Sequence, residues 1–237
     1  MKIALIGYGK MGHEIERIAL ARGHEIVQTI DVNNLTDMDS ERFRSADVVI
    51  EFTRPDSALA NYRKCFSHHL PIVSGTTGWL EHLPEIKEAC ASGETFFYAS
   101  NFSLGVNLFF ALNARLAEMM NGFPEYDVCM KEIHHTQKMD APSGTAISLA
   151  EDILERLDRK TTWVKETANE RSELAIRSER LGEVPGFHEV TYQSEIDSIT
   201  ISHDAKNRSG FALGAVLAAE YTVGNKGFLG MKDMLGF

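Results

Sequence analysis

Ile3-Ala4-Leu5-Ile6-Gly7-Tyr8-Gly9-Lys10-Met11-Gly12 is the stretch on which the fold turns. Four apolar residues make a short strand that runs directly into a Gly-x-Gly-x-x-Gly turn. Ile15, Ile18 and Ala19 then follow at helical spacing as far as Arg22-Gly23. A second strand spans 24–30 and ends at Asp31, about 20 residues beyond the glycines. In this strand–turn–helix setting Gly7 permits the tight turn, Gly9 lets the backbone approach a pyrophosphate, and Gly12 lets the helix pack closely on the sheet. The helix start favours the phosphates, and a carboxylate at Asp31 accepts from ribose hydroxyls. Glycines that merely turn the chain would not account for the strand, the helix and the acid together. Asp31 also repels a 2′-phosphate, and Val32-Asn33-Asn34 bring no arginine against it. NADH is therefore expected ahead of NADPH, with Arg42, Arg44 and Lys10 as the basic residues able to offset that preference.

The same alternation continues outward. Strands are expected at 47–52, 71–74 and 95–98, and helices at 56–66 and 80–91, which predicts a Rossmann-type parallel sheet with right-handed crossovers. Phe52-Thr53-Arg54-Pro55 and Gly75-Thr76-Thr77-Gly78 follow strands on one sheet edge, where ligands of open parallel sheets bind. Plain turn chemistry remains the alternative for both. Beyond Ala99-Ser100-Asn101-Phe102 comes a long apolar helix at 106–120, and then the pattern changes. Extended segments at 126–135, 174–180, 187–193 and 198–203 surround one helix at 144–157. The polar run 161–173 is expected to be a mobile loop, and 208–223 a last helix. The chain thus reads as α/β: a dinucleotide-binding domain of 1–102 completed by 208–237, and a smaller α+β domain of 103–207. The smaller domain's mixed or antiparallel sheet is assigned to substrate binding and oligomerisation.

Bulk properties narrow the function. A chain of 237 residues with 43% hydrophobic and 24% charged residues is globular rather than disordered. A net charge of -10 argues against a general nucleic-acid or anionic-membrane surface. Cys65, Cys90 and Cys129 are odd in number and widely spaced, as expected of reduced thiols in a cytoplasmic protein. The apolar run at 1–7 is too short for a signal peptide, and that at 211–219 is stopped by Glu220 before it could span a bilayer.

Chemistry concentrates in Lys131-Glu132-Ile133-His134-His135-Thr136-Gln137-Lys138-Met139-Asp140-Ala141-Pro142-Ser143-Gly144-Thr145. Two imidazoles that exchange protons near neutral pH precede an ammonium and a helix start whose free N–H groups favour anions. Such a loop suits the binding and protonation of a small carboxylate. The bland readings are a surface His pair, a solvated Lys138 and Ser143 acting only as a helix cap. A metal site drawn from His134, His135, His188 and His203 is the other option. Adjacent histidines on a strand point to opposite faces, so no metal is expected.

These residues together resemble the 4-hydroxy-tetrahydrodipicolinate reductase (dihydrodipicolinate reductase) family. The resemblance rests on the glycine loop, Phe52–Pro55, Gly75–Gly78, Ala99–Phe102, the run 132–146 and Arg177-Ser178-Glu179-Arg180-Leu181-Gly182-Glu183-Val184-Pro185-Gly186-Phe187-His188, in the same order along the whole chain. It implies an NAD(P)H-dependent oxidoreductase of lysine and diaminopimelate synthesis, delivering hydride to an unsaturated cyclic dicarboxylate. It further implies His134 as proton donor, Lys138 as the second catalytic residue, His135 in substrate binding, and Gly144 with Thr145 holding a carboxylate. Cofactor contacts are implied for Gly7, Tyr8, Gly9, Lys10, Met11, Gly12, Asp31, Phe52, Gly75, Thr76, Thr77, Ala99, Ser100, Asn101 and Phe102. A homotetramer formed through the second-domain sheets, and closure between domains, belong to the same resemblance. Two features depart from it. Thr136-Gln137 replaces a more basic pair, and the chain is shorter between Asp31 and Asp47. A dehydrogenase for another small acid, or a dinucleotide-sensing protein without turnover, would share the glycine loop; the His-His-x-x-Lys run argues against both.

Overall fold

The computed structural model describes residues 1–207 and 209–237. It divides into two compact units, Met1–Leu104 with Ser209–Phe237, and Gly105–Arg208. The expected first residue of the last helix and C-terminal segment, Arg208, lies outside the described residues.

In the first unit β1 (Lys2–Ile6), α1 (Lys10–Ala21), β2 (Glu25–Ile30), a one-turn α2 (Glu41–Arg44), β3 (Val48–Glu51), α3 (Pro55–Ser67), β4 (Ile72–Ser74), α4 (Leu83–Ala91) and β5 (Thr95–Tyr98) follow in alternation. The chain later returns with α7 (Ser209–Val223), β11 (Gly227–Leu229) and α8 (Met231–Leu235). The sheet is parallel throughout, in the order β11-β5-β4-β3-β1-β2. Its first connection goes to one side of β1 and the next to the other, which opens a crevice at the carboxyl ends of β1 and β3. Both faces are covered. Ile3, Leu5, Ile50, Val73 and Phe97 pack with α1 and α7, while Ala4, Ile6, Val49, Ile72 and Phe96 pack with α3 and α4. This two-sided burial explains why the strands read as continuous apolar runs. The short β11 was not expected; three residues at a sheet edge carry little periodic signal. The expected helix at 80–91 divides into a 3-10 turn at Leu80–His82 and α4, with Pro84 in the first turn of α4, where its missing N–H costs nothing.

α7 is apolar on every side and buries Ala212, Gly214, Ala215, Val216, Ala218, Ala219 and Thr222. It lies so close to the segment after β5 that a Cβ on Gly214 would stand 1.7 Å from the Phe102 carbonyl oxygen. Its polar exit is held by Glu220, which accepts both Arg22 guanidinium bonds at 2.8 Å and faces His24 at 2.7 Å.

The second unit contains α5 (Leu104–Met120, entering from the first unit by one residue), β6 (Asp127–His134), α6 (Gly144–Arg156), β7 (Thr162–Lys165), β8 (Glu173–Arg180), β9 (Gly186–Gln193) and β10 (Ser198–Ala205). Its sheet runs β10-β9-β6-β8-β7 and is mixed, with β7, β8 and β6 parallel and β9 antiparallel to both neighbours. One face carries Val128, Met130, Leu174, Ile176, Val190 and Tyr192 against α5 and α6. Asn113 ties those two helices by donating to the Leu149 carbonyl at 3.0 Å. The expected mobile loop at 161–173 is corrected in part. Thr162–Lys165 is an edge strand on β8, because Thr162, Trp163 and Val164 are strong strand formers with a free edge to pair. The buried ammonium of Lys160 anchors its start, donating to the carbonyls of Arg171 at 2.8 Å and Glu173 at 2.7 Å. Among the described residues no helix is long and apolar enough to cross a membrane.

Gly214→Ala tests how tightly α7 is held. The substitution gains about 1 kcal/mol in helix propensity. Overpacking against a backbone carbonyl should nonetheless leave the protein about 2 kcal/mol less stable. A denaturation midpoint equal to or above that of the parent would show that α7 shifts away freely.

Candidate active site

In the second unit the inward parity of β6 places Glu132 and His134 below Val128 and Met130, both on the covered face. Glu132 is fully buried. Its two carboxylate oxygens each accept the Ser143 amide at 3.1 Å, and Oε1 also accepts Nη2 of Arg180 at 3.2 Å. Its Oε2 faces Nδ1 of His134 at 3.4 Å and Nε2 of His188 at 3.8 Å. Ser143 caps α6, its hydroxyl accepting from the Ala146 amide at 3.2 Å and standing 3.1 Å from Nε2 of His188. The two imidazoles meet edge to face, 5.0 Å apart.

Burial pushes the Glu132 carboxyl up, but hydrogen bonding from Ser143 and the charge of His134 bring it below its ordinary range. Burial lowers His134; Glu132 opposes the shift, and Lys138 and Arg180 reinforce it. His188 is pushed down to about 4, first by burial and then by His134. Both rings are thus harder to protonate than a free imidazole.

The loop after β6 is held from β8. The Arg180 guanidinium donates to the carbonyls of Lys138 at 3.3 Å and Asp140 at 2.5 Å. Lys138 pairs with Asp140 at 2.8 Å and keeps that carboxyl below the usual range. His135 leaves the strand on the other side and lines a cavity with Thr136, Gln137, Gly182, Glu183, Pro185 and Asn207. The peptide Ala141–Pro142 is cis. Gly144 and Thr145 open α6, where helix geometry leaves their amides without intrahelical acceptors. Thus His134 and the Ser143 cap that precedes Gly144 and Thr145 meet one buried carboxylate, Glu132, Lys138 pairs with Asp140 on the loop that Arg180 ties to it, and His135 belongs to the adjoining cavity.

His134 and His135 diverge as strand parity requires, but His188 of β9 joins His134, and His203 stacks on Phe109 instead. Donor atoms of Glu132, His134 and His188 all lie within 4.8 Å of one another. The chemistry does not favour a cation there. Glu132 already accepts from an amide and a guanidinium, and Lys138 and Arg180 supply positive charge.

In the first unit the glycine loop meets the requirements of a dinucleotide. Gly7 has φ +92, and a Cβ there would lie 1.9 Å from the Phe52 carbonyl oxygen; one on Gly12 would lie 2.4 Å from that of Gly7. Among the described residues Gly9 has nothing within 4 Å and no side chain caps α1, so a phosphate can approach both the backbone and the helix start. Lys10 is exposed and Met11 half-buried beside it. Tyr8 turns its hydroxyl to Glu16 and its ring to His13. Asp31 is exposed, its Oδ1 accepting the Val32 amide at 2.8 Å.

The loops after β3 and β4 are organised by Glu51, another fully buried carboxylate. It accepts from the hydroxyls of Thr53, of Ser74 at 2.7 Å and of Thr76 at 3.0 Å. Thr76 in turn accepts the Thr53 amide at 2.8 Å. The Thr76 side chain is therefore committed inward, leaving Gly75 and the exposed Thr77 as the open part of that loop. A Cβ on Gly75 would fall 2.1 Å from the Phe52 ring, which also leans on Phe102 with ring centres 5.5 Å apart. Ala99 and Phe102 are buried, and Asn101 accepts the Ser103 amide at 2.9 Å, bracketing the exposed Ser100.

Sequence reasoning missed Glu51, Glu132 and Arg180 and treated His188 only as a possible ligand. A signal existed for two of them: Glu51 ends an otherwise apolar buried strand, and Glu132 shares the inward parity of Val128 and Met130.

Ionisation of His188 makes stability depend on pH. Above about pH 6.5, its ordinary value, His188 is neutral both folded and unfolded. As pH falls toward about 4 the unfolded chain takes up a proton that the folded unit refuses. The second unit should lose on the order of 3 kcal/mol across that window. Denaturation followed through Trp163 fluorescence should show this slope, and His188→Gln should flatten it; an equally steep slope in the variant would remove His188 as its source.

Residues 1–102 match the family model described as dihydrodipicolinate reductase, N-terminus, and residues 105–235 match the model of its C-terminus. The chain is 50% identical over 99% of its length to the 4-hydroxy-tetrahydrodipicolinate reductase of Christiangramia forsetii, covering 98% of that protein. It is 36% identical to the enzyme of the same name from Staphylococcus saprophyticus, over 95% of this chain and 96% of that one. In fold it resembles the dipicolinate-bound dihydrodipicolinate reductase of Paenisporosarcina sp. TG-14, with a TM-score of 0.76, 24% identity and 98% of each chain covered.

Proposed function

The chain belongs to the dihydrodipicolinate reductase family and carries out the NAD(P)H-dependent reduction of 4-hydroxy-tetrahydrodipicolinate to tetrahydrodipicolinate in diaminopimelate and lysine synthesis; from that premise we propose how its own residues divide the work. The observation that supports this division is that His134 and the cap of α6 meet buried Glu132, and that Arg180 ties the same carboxylate to the loop on which Lys138 pairs with Asp140. His134 hands a proton to the substrate. The Lys138 ammonium offsets negative charge as the proton is transferred. The amides of Gly144 and Thr145, with the Thr145 hydroxyl, hold one carboxylate, and His135 contacts the bound ring from the adjoining cavity. Dipicolinate, named for the Paenisporosarcina enzyme, is a dicarboxylate of the kind this reading assigns to the site.

The first unit binds the dinucleotide, the second the substrate. Gly7, Tyr8, Gly9, Lys10, Met11 and Gly12 hold the pyrophosphate side. Phe52, Gly75–Thr77 and Ala99–Phe102 form the nicotinamide side. When bound, the nicotinamide supplies hydride. Asp31 accepts from the ribose hydroxyls and favours NADH, because its carboxylate is exposed and already oriented by the Val32 amide. The outward face of the β10-β9-β6-β8-β7 sheet, on which Cys129, Lys131 and Ile133 alternate with the buried residues of β6, is the surface through which a homotetramer forms. The protein works in the cytoplasm, consistent with free cysteines at 65, 90 and 129.

Two measurements test these assignments. The purified protein, given the fresh condensation product of pyruvate and aspartate semialdehyde, should oxidise NADH or NADPH. Turnover should fall about 100-fold or more in His134→Gln and in Lys138→Ala. Rates near the parent's in both variants would remove the catalytic roles. Separately, Asp31→Ala should raise kcat/KM for NADPH relative to NADH, whereas an unchanged ratio would show that Asp31 does not discriminate.

A further inference from the structure

We propose that Glu132 is the positioning residue of the proton donor: its buried carboxylate holds His134 as the Nδ1–H tautomer, so that Nε2 is the atom that gives up the proton. This rests on the reading of His134 as donor and extends it to one nitrogen and one partner.

The geometry leaves Nδ1 a single neighbour of the right kind. His134 Nδ1 is buried and, among the described residues, makes no hydrogen bond; the Glu132 carboxylate at 3.4 Å is the acceptor that faces it. Glu132 cannot easily turn away. Ser143 at the cap of α6 and Arg180 at the end of β8 hold its oxygens from two other elements. On the opposite side of the ring, Nε2 lies against Gly186, where an added Cβ would stand only 3.2 Å away. The absence of a side chain there keeps that nitrogen clear.

Every charged or titratable group facing the ring fits this arrangement. Glu132 lies on the same strand and His188 on β9. Arg180 ends β8, and Lys138 and Asp140 sit on the following loop. Glu132 and Asp140 favour the protonated ring; Lys138, Arg180 and burial disfavour it. His188, held neutral beside Ser143, does not compete for the proton. During turnover the Nε2–H bond breaks and its proton passes to the substrate. The ring is left neutral, with its remaining proton on Nδ1 toward Glu132. The reducing electrons come with the hydride of the established cofactor. In the common alternative tautomer the remaining proton would sit on Nε2 and a bare Nδ1 would face the carboxylate, two acceptors in one buried contact.

Nitrogen NMR of histidine-labelled parent protein above the pH at which His134 loses its charge decides the tautomer directly. Nδ1–H is expected for His134; Nε2–H overturns the proposal. The second arm is Glu132→Gln, which keeps an acceptor for Ser143 but removes the charge. Its alkaline limb in the kcat–pH profile should move down by about one unit or more. Its KM should stay within about twofold of the parent's, since uniform binding is untouched, and Glu132→Asp should restore most of the limb. A loss of kcat that is equal at every pH, with the limb unmoved, would make Glu132 merely structural and overturn the proposal. If Glu132→Gln fails to fold, the tautomer of the parent still decides. A fully active His134→Gln would sink the donor reading instead, an outcome separate from the NMR result.

Discussion

A carboxylate taken wholly out of water costs several kcal/mol unless its oxygens are met on the spot. The second unit is arranged around one that is. Glu132 collects the cap of α6 through the Ser143 amide, the end of β8 through Arg180, and the imidazoles of β6 and β9. Arg180 extends the same constraint to the loop carrying Lys138 and Asp140. One buried charge thus fixes where a helix begins, where a loop runs and how two rings meet. Geometry of this kind comes from rigid elements, with the loop as cargo.

The first unit uses the same device with neutral partners. Glu51 is equally buried, but hydroxyls of Thr53, Ser74 and Thr76 meet it, and Tyr62 extends the chain through Ser74 at 2.6 Å. These residues end or follow two adjacent strands, so the carboxylate locks two loops to one another at one edge of the sheet. Phe52, leaning over Gly75 and against Phe102, brings the third loop into the same arrangement. A protein with a net charge of -10 can therefore bind anions. Its acids are drawn into internal bonds at these sites, while helix starts, Lys138 and Arg180 present positive potential locally.

Much of this was legible in the residues alone. The glycine loop, its flanking strand and helix, and the acid at position 31 identify a nucleotide-binding α/β half because each part needs the others. The change from buried apolar runs to alternating strands marks the second sheet. His134, Lys138 and the Gly144-Thr145 helix start are chemically conspicuous within fifteen residues of one another. The edge strands Thr162–Lys165 and Gly227–Leu229 were less visible, since their pairing comes from a neighbour distant in the chain and their own pattern is short. Arg180 and His188 were obscure as site residues for the same reason. They lie 46 and 54 positions from His134 (180 − 134 and 188 − 134) and reach it only because β8 and β9 flank β6.

Local sequence, then, determined the kinds of elements, the family and the residue types that carry the chemistry, because periodicity, turn glycines and helix caps act over a few residues. Tertiary structure decided which histidines come together, which acids are buried and which remain exposed. Those properties depend on burial and on charges from other strands, and neither exists until the sheet has formed. The segment around His134 supplies an imidazole; only the packing of β8, β9 and α6 around Glu132 decides which groups face it.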